Sequence, residues 1–460
     1  MQKDEIFNQI ANATVINGNL GLFIGAGFSK AVFDDETKEL VHSDISAQPL
    51  SWLQLLKKTC DDLSINFDSI NTKCKSYPEI ASEIRKKIIE EKHISYNKAD
   101  FLLKGSICKL VSWYPNKDQR SLFGQEIKSL SPNWIITTNY DLVIEGLLPD
   151  SAKSIKPNEI FSCKKDLIPI YHMHGIKTDP DSIIITNEDY IKLFRPDEYR
   201  QQRLPFLFME STTLAIGYGI GDANVLTALD WKQNVYKSEQ SLKEGNFIQL
   251  AHSTTPKAPY DINGITVIET DSILNTLREI NEYVKKKFQQ KKEYEEQIKK
   301  FIDYYANLDE SGIDDFIEDD TKKGLFFTSI NNAFDKVSSF GCVFLSRVIE
   351  QCWKRCAPDG AFEEYAKMLK ILIFCMNKID FSNLAPALFE LIASTLNSLS
   401  YYIDISNINS FYSYSGKSKP AKILWDREKR TLPTTYIEEL KNYANQREFS
   451  SDHLKNILDF

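Results

Sequence analysis

Short apolar runs alternate with helical periods over the first 285 residues of the chain. The apolar runs have strand length and lie at 20–24, 134–136, 167–174, 214–216, 247–251 and 265–268. Residues 182–186 are a candidate for one further strand. Between the runs, apolar residues recur at intervals of three and four, which is typical of amphipathic helices. Six buried strands alternating with helices predict an α/β fold with a doubly wound, Rossmann-like parallel sheet.

The pattern also divides the chain into regions. Residues 1–285 are predicted to form the sheet domain, with a helical insertion at about 50–130 that follows a polar loop at 34–48. Residues 286–300 are rich in Lys and Glu and are predicted to form a solvated charged helix or linker. Residues 301–460 keep the helical period without glycine turns, which predicts a separate all-helical domain for oligomerisation or regulation.

Composition narrows the class of protein. The chain has 460 residues, 42% hydrophobic and 26% charged, as expected for a soluble globular protein with two or three domains. A net charge of −8 argues against general nucleic-acid binding. The sequence shows neither a signal peptide nor a run of membrane-spanning length, and its eight cysteines form no C-x-x-C pair. We therefore expect a cytoplasmic protein without membrane contact.

A glycine turn follows the first apolar run. Gly25, Ala26 and Gly27 allow a sharp turn, and Ser29 is predicted to cap a helix that starts near Lys30. Such a strand, turn and helix can hold the phosphates of a dinucleotide. The alternative is a tight turn of any α/β domain. Lys30 stands where a dehydrogenase fingerprint has its third glycine, which excludes the ordinary form of that motif.

Polar side chains end the second strand. Thr137, Thr138, Asn139 and Asp141 follow the buried residues 134–136. In a doubly wound sheet, ligands bind at the carboxyl ends of the strands. Several polar groups there predict a ligand site, because unpaired buried polar groups are costly. The alternative is a turn in which Asp141 caps the next helix.

Two histidines end the third run. His172 and His174 share one face of the predicted strand, and Gly175 follows His174, the last side chain of that strand. A metal pair is conceivable, but no third ligand lies near in sequence. A structural hydrogen-bonding role is the other alternative for either histidine.

A third turn follows the fourth run. Gly217, Gly219 and Gly221 suit the close passage of a ribose or phosphate, and Asp222 is predicted to begin a helix. A flexible turn without a ligand is the alternative.

Three of these motifs together resemble the sirtuin family. The family's G-A-G-x-S matches residues 25–29, its T-Q-N-x-D matches residues 137–141 with Thr138 in place of Gln, and its H-G matches His174 and Gly175. Residues 217–225 resemble the sirtuin-like domains of bacterial antiphage defence proteins more than the deacylases. The resemblance covers about residues 10–285, while the C-terminal region resembles no family.

The chain also departs from the deacylases. They carry a four-cysteine zinc module after the catalytic His, whereas here no cysteine lies between Cys163 and Cys342. Their G-I-P-D-F-R loop is absent, and residues 33–35 read Phe-Asp-Asp. No zinc is therefore expected, and no wall for an acyl-lysine peptide is evident.

The resemblance implies hydrolysis of NAD at the nicotinamide–ribose bond. Asn139 would hold a ribose hydroxyl or the attacking water, His174 would be the general base, and Asp141 would hold the nicotinamide carboxamide. The residues implied to bind the rest of NAD are Gly25, Ala26, Gly27, Ser29, Thr137, Thr138, Gly217, Gly219 and Asp222.

The leading hypothesis is therefore a regulated antiviral effector that depletes NAD. We expect a homo-oligomer, because the apolar helix faces at Phe374, Leu384, Leu388 and Ile392 must be buried within the helical domain or against another copy. By family analogy the protein would respond to a HerA-type ATPase or a phage-derived trigger. A zinc-less deacylase or ADP-ribosyltransferase is one alternative. A catalytically silent NAD or ADP-ribose sensor is another, and nicotinamide release separates it from the enzymes.

Overall fold

The chain divides into two compact units, Met1–Lys291 and Lys292–Phe460. The computed structural model describes residues 2–33, 49–157, 159–193, 195, 198–219, 223–234, 246–358, 362–404, 419–447 and 451–459. The division between the units falls inside the predicted charged connector at 286–300. The polar loop predicted at 34–48 lies outside the described residues.

An eight-stranded sheet forms the centre of the first unit. Its strands in chain order are β1 (Leu20–Ile24), β2 (Trp134–Thr137), β3 (Ala152–Ile155), β4 (Ile168–His172), β5 (Thr212–Ile216), β6 (Phe247–His252), β7 (Tyr260–Ile262) and β8 (Ile265–Thr270). In space the order is β3-β4-β2-β1-β5-β6-β8-β7. All pairings are parallel except that of β7 with β8. The predicted doubly wound parallel sheet is confirmed.

The strand order reverses between β1 and β5. The chain places β2, β3 and β4 on one side of β1, and it then crosses to place β5 and the later strands on the other side. In open α/β sheets such a reversal leaves a crevice at the carboxyl ends of the two central strands. The turns that leave β1 and β5 therefore border the expected ligand crevice.

Helices surround this sheet. They are α1 (Lys3–Asn12), α2 (Ala26–Val32), α3 (Trp52–Asp62), α4 (Tyr77–Lys92), α5 (Tyr96–Leu110), α6 (Lys117–Gln119), α7 (Gln125–Ser129), α8 (Val143–Leu147), α9 (Asn187–Leu193), α10 (Tyr199–Glu210), α11 (Ala223–Asn234) and α12 (Ile273–Ala306). Helix α12 crosses the predicted connector without a break. Helix α3 begins where the Ser51 hydroxyl accepts the Gln54 backbone N–H and the Gln54 side chain accepts the Ser51 N–H.

Two apolar layers cover the sheet. Leu22 and Ile24 of β1 join one layer with residues of α1, α2, α8 and α12, while Phe23 points into the other layer with residues of α10 and α11. All five residues of β1 are buried, as expected for a strand covered on both faces. The insertion helices α3, α4 and α5 have a separate core, which also includes Tyr140 and Ile183.

The second unit is helical throughout its described part. After the end of α12 it contains α13 (Glu310–Glu318), α14 (Asp320–Asn332), α15 (Phe334–Cys356), α16 (Phe362–Lys378), α17 (Pro386–Ile403), α18 (Lys419–Glu428), α19 (Thr434–Gln446) and α20 (Asp452–Ile457). One continuous apolar core joins these helices. None of the helices in the described parts of the chain has both the length and the apolar character of a membrane span.

Three local predictions were wrong. Residues 182–186 are not a strand: Ser182 ends a 3-10 turn, and residues 183–186 form a loop that packs apolar side chains into the core of the insertion. Strand β3 was missed since only Ile155 of its residues is fully buried, so its apolar signal is weak. Strand β7 was missed because it is an edge strand of three exposed residues, so it carries no run of buried apolar side chains.

Candidate active site

The two glycine turns of the crevice pack directly against each other. The Gly27 N–H donates to the Gly217 carbonyl at 2.8 Å. A Cβ on Gly25 or Gly27 would lie 2.7 Å from that oxygen, and a Cβ on Gly217 would lie 2.0 Å from the Phe28 nitrogen. Gly217 also has φ +59°, a conformation that favours glycine. These glycines therefore let β1 and β5 turn side by side, and this packing engages the Gly27 N–H.

Gly219 and Asp222 complete the second predicted turn. A Cβ on Gly219 would meet no atom within 4 Å, so its lack of a side chain is not required by packing. Asp222 lies outside the described residues, and α11 is described from Ala223.

Ser29 does not cap the helix that follows β1, which corrects the prediction. Helix α2 begins at Ala26, and Gly25 is its N-cap residue. Ser29 therefore lies inside the helix, 1% exposed, where its hydroxyl turns toward the end of β2. Ala26 and Gly27 remain exposed, so the first turn of α2 is open to a ligand.

Ser29, Asn139 and Asp141 form one buried cluster. The Ser29 Oγ donates to Asp141 Oδ2 at 3.0 Å and accepts from Asn139 Nδ2 at 3.1 Å. Asn139 is 6% exposed and Asp141 5% exposed. The structure thus joins residues that are 110 and 112 positions apart in sequence.

This cluster fixes the orientation of the Asn139 amide. Ser29 gives its only hydroxyl proton to Asp141, so its lone pair faces a donor, which must be Nδ2 of Asn139. The Asn139 Oδ1 is consequently the end of the amide that can accept a hydrogen bond from a ligand hydroxyl or from water.

Asp141 has an unusual protonation equilibrium. Burial raises the pKa of its carboxyl to about 6, against the bonds from the Val143 N–H and Ser29 that favour the carboxylate. The Val143 bond is 3.0 Å long and lies at the start of α8. The N-cap residue of α8 is Leu142, so Asp141 is not the cap that the alternative predicted, but its carboxylate accepts the N–H of the first helical residue as well as the Ser29 hydroxyl.

The two threonines before Asn139 hold the backbone. The Thr137 hydroxyl donates to the Ile24 carbonyl at 2.9 Å and accepts the Asn139 N–H at 3.0 Å. The Thr138 N–H reaches the same carbonyl at 3.4 Å, and its side chain is half-buried. Thr137 thus links the ends of β1 and β2 and shapes the turn that presents Asn139.

His172 lies against the other side of this turn. Its Nδ1 is 3.1 Å from the Asn139 carbonyl oxygen, and its Nε2 is 2.7 Å from Oε1 of Glu145 on α8. The imidazole is fully buried. Glu145 was not among the predicted site residues, because its position on α8 facing the end of β4 depends on the fold.

His174 lies two residues beyond the end of β4, which corrects its placement as the last strand residue. It is 1% exposed, and the Tyr190 ring meets its imidazole edge to face at a centroid distance of 5.5 Å. Its carbonyl accepts the Ile184 N–H at 2.8 Å. Gly175, with φ +100°, makes the turn that follows. His174 is therefore held by the loop at 183–186 and by Tyr190 of α9.

No group of three or more His, Cys, Asp or Glu side chains that could hold a metal was found among the residues that the structure describes. Of the two histidines, His172 bonds to Glu145, whereas His174 packs on Tyr190. Independence from zinc stays a prediction.

The fold and the site define the first unit as a doubly wound, Rossmann-like domain with a polar cluster at its topological switch point. Residues 133–258 match the family described as the SIR2-like domain. The match contains Asn139, Asp141, His174 and Gly217, while the turn of Gly25 lies outside it. It supports a sirtuin-like domain and NAD-dependent activity in general. No curated protein matches the chain.

Proposed function

We propose that this protein hydrolyses NAD to nicotinamide and ADP-ribose. The observation that carries the proposal is the buried Ser29–Asn139–Asp141 cluster at the switch point of a sirtuin-like sheet. A cluster with 1–6% exposure lies in a low-dielectric surrounding, where fixed dipoles and charges act strongly on a bound substrate.

The reaction suits these groups. The bond between C1′ of the ribose and the pyridinium nitrogen breaks, and its electron pair neutralises the ring, so nicotinamide leaves without needing a proton. The transition state resembles the oxocarbenium ion of glycoside hydrolysis. A water oxygen forms the new bond to C1′, and its proton passes to His174 as general base. The Asn139 Oδ1 orients the water or a ribose hydroxyl.

Other residues would bind the rest of the substrate. Asp141 would hold the carboxamide of nicotinamide, and the open first turn of α2 at Ala26 would face the phosphates, because helix N-termini favour anions. The turn at Gly217 and Gly219 would face the adenosine side. This assignment extends the sirtuin resemblance residue by residue.

We further propose that the protein is a regulated antiviral effector, which depletes NAD in the cytoplasm. An enzyme that destroys a central cofactor needs restraint in the resting cell. The second, helical unit would supply it through homo-oligomerisation or a partner, with a HerA-type ATPase or a phage-derived trigger as candidates by analogy with defence-type sirtuin-like domains.

Asn139→Ala and His174→Ala test the proposal. Each should lower nicotinamide release by about 10²–10⁴-fold while the protein stays folded, because each removes a group that orients or deprotonates the water. Chromatography of NAD incubations measures the products, with an acyl-lysine peptide added in a parallel arm.

Asn8→Ala and His252→Ala are matched controls, since both side chains are exposed. Wild-type turnover in His174→Ala would remove that residue as the base. Nicotinamide release that requires the acyl peptide would favour a deacylase, and NAD binding without any turnover would favour a sensor.

A further inference from the structure

His172 has both ring nitrogens directed at hydrogen-bond acceptors. One is the peptide carbonyl of Asn139 at 3.1 Å, and the other is the Glu145 carboxylate at 2.7 Å. Neither a carbonyl nor a carboxylate oxygen can donate. A histidine that satisfies both must carry a proton on each nitrogen, so it is an imidazolium cation.

Glu145 supplies the counter-charge. Its Oε1 also accepts the Ser154 hydroxyl of β3 at 2.5 Å, so the carboxylate is held from two sides. Burial alone would lower the pKa of His172, but the Glu145 carboxylate, its hydrogen bond and the nearby Asp141 raise that pKa above its ordinary value. Burial likewise works against ionised Glu145, yet the His172 cation lowers the pKa of that carboxyl. Both shifts favour the ionised form of the pair.

The contacts of Asn139 show what the pair can do. Its N–H is held by Thr137, its amide by Ser29 and its carbonyl by His172. Hydrogen bonds from a charged donor are the stronger kind. His172 thus provides the one charge-assisted bond among these three contacts with the residue that is proposed to orient the water.

We propose that His172 is a doubly protonated positioning residue, which holds the peptide carbonyl of Asn139 while Glu145 serves as its counter-ion. The proposal rests on the proposed function for its effect on turnover. A cation with both nitrogens engaged has no lone pair to accept a proton, so His172 does not replace His174 as the base.

Substitutions at His172 separate these two roles. His172→Asn keeps an N–H near the position of Nδ1, whereas His172→Leu keeps none. We expect kcat to fall by less than about tenfold in His172→Asn and by about 10²-fold in His172→Leu. The larger loss is that expected when Asn139 is slightly misplaced relative to the reacting atoms. KM for NAD should stay the same in both. A general base would instead lose activity equally in both variants.

Glu145→Gln preserves shape and removes the charge. It should retain most of the turnover because a neutral His172 with its proton on Nδ1 still donates to Asn139. His252→Asn and His252→Leu are matched controls at an exposed histidine. A folded His172→Asn that is as inactive as His172→Leu would overturn the positioning role.

Nitrogen-15 NMR of histidine-labelled full-length protein tests the charge without any turnover. The chain has six histidines, so the signal of His172 is identified by its loss in His172→Asn. It should report an imidazolium at pH 7 in the wild type and titrate at lower pH in Glu145→Gln. A neutral ring at pH 7 in the wild type would refute the inference. Absence of NAD hydrolysis in the wild type would refute only the proposed function.

Discussion

At the scale of single residues, burial determines the chemistry of the site. The carboxylate of an aspartate is normally hydrated, but Asp141 is only 5% exposed and loses most of this hydration. The N–H of Val143 and the hydroxyl of Ser29 compensate only in part, so its pKa stays raised at about 6. The ionised carboxylate orients Ser29 and, through it, Asn139. Because it is buried, the folded protein keeps it ionised at a cost in free energy.

Asp141→Asn should stabilise the protein at alkaline pH while it lowers turnover. A raised carboxyl pKa means that the folded state binds the proton more tightly than the unfolded state. The stability contributed by protonated Asp141 is present below about pH 4 and is lost as the pH rises through about 6. The gain from the substitution should reach at most about 3 kcal/mol at pH 8 and vanish near pH 4.

Denaturant unfolding of both proteins at pH 4 and pH 8 measures this difference. Glu159→Gln is a control at a solvent-exposed carboxylate. Equal unfolding midpoints of Asp141→Asn and the wild type at pH 8 would contradict the raised pKa.

At the scale of elements, the helical insertion holds the loop that carries the contacts of His174. Lys104 of α5 is 4% exposed and lies 3.0 Å from Asp189 of α9 and 3.0 Å from Asp100. Arg85 of α4, 2% exposed, pairs with Asp100 at 2.9 Å and with Glu188 at 2.7 Å. The insertion is thus tied to α9, which directly follows the loop at 183–186, by ion pairs whose two cations are buried, while Asp100 and Glu188 are partly exposed.

The same loop touches the site at two points. The Ile184 N–H donates to the His174 carbonyl, and the Ile184 carbonyl accepts the Tyr140 hydroxyl at 2.7 Å. Tyr140 stands between Asn139 and Asp141 in the chain. The insertion therefore supports both segments that carry the proposed reaction.

Lys104→Met should destabilise the protein by about 3–5 kcal/mol, because it leaves the buried carboxylate of Asp189 without its cation, while Asp100 keeps Arg85. It should also lower NAD turnover, since α9 and the Tyr190 ring would hold His174 less firmly. Lys109→Met on the same helix is the control: its side chain is 73% exposed and 3.7 Å from Asp62, so the change should cost no more than about 1 kcal/mol. Urea unfolding and NAD turnover are the measurements. Equal effects of the two substitutions would argue against the anchoring role.

At the scale of the whole molecule, the second unit has its own core. The apolar residues whose spacing predicted an oligomer include Leu384, Leu388 and Ile392, which are 8%, 2% and 0% exposed within that core, and Phe374, which packs against it. These side chains are therefore covered within the chain, and they do not need a second copy. Homo-oligomerisation stays a proposal that rests on the need to regulate the enzyme.

Truncation after residue 295 tests the role of the second unit. The cut lies beyond Lys291, whose Nζ donates to the Val15 carbonyl at 2.6 Å, so the first unit keeps this contact. We expect the full chain to be an oligomer by light scattering and the truncated chain to be smaller, with altered NAD turnover. Turnover should fall if assembly builds the active state and rise if assembly restrains it. A monomeric full-length chain with unchanged turnover after truncation would remove the regulatory role.

The sequence alone determined the elements that carry strong local signals. Six strands, the helical insertion and the helical C-terminal region follow from apolar runs and helical periods, because burial imposes these patterns on each element separately. The predicted ends of β1 and β5 are also in place, and β2 extends one residue beyond its predicted end to Thr137, since glycine and polar residues interrupt apolar runs at those points. Weakly buried strands such as β3 and β7 escaped because they carry little of that signal.

Only the tertiary structure decided how the site residues are used. Ser29 was predicted to cap a helix, but it bonds to a carboxylate 112 positions away. Gly25 and Gly217 were predicted to let a ligand approach the backbone closely. In the structure they also allow the two turns to pack against each other, because a Cβ at either position would clash with the other turn. His172 became a partner of Glu145 through the packing of α8 on β4. Each of these roles depends on contacts between distant segments, and spacing along the chain does not specify which distant atoms will meet or how deeply they will be buried.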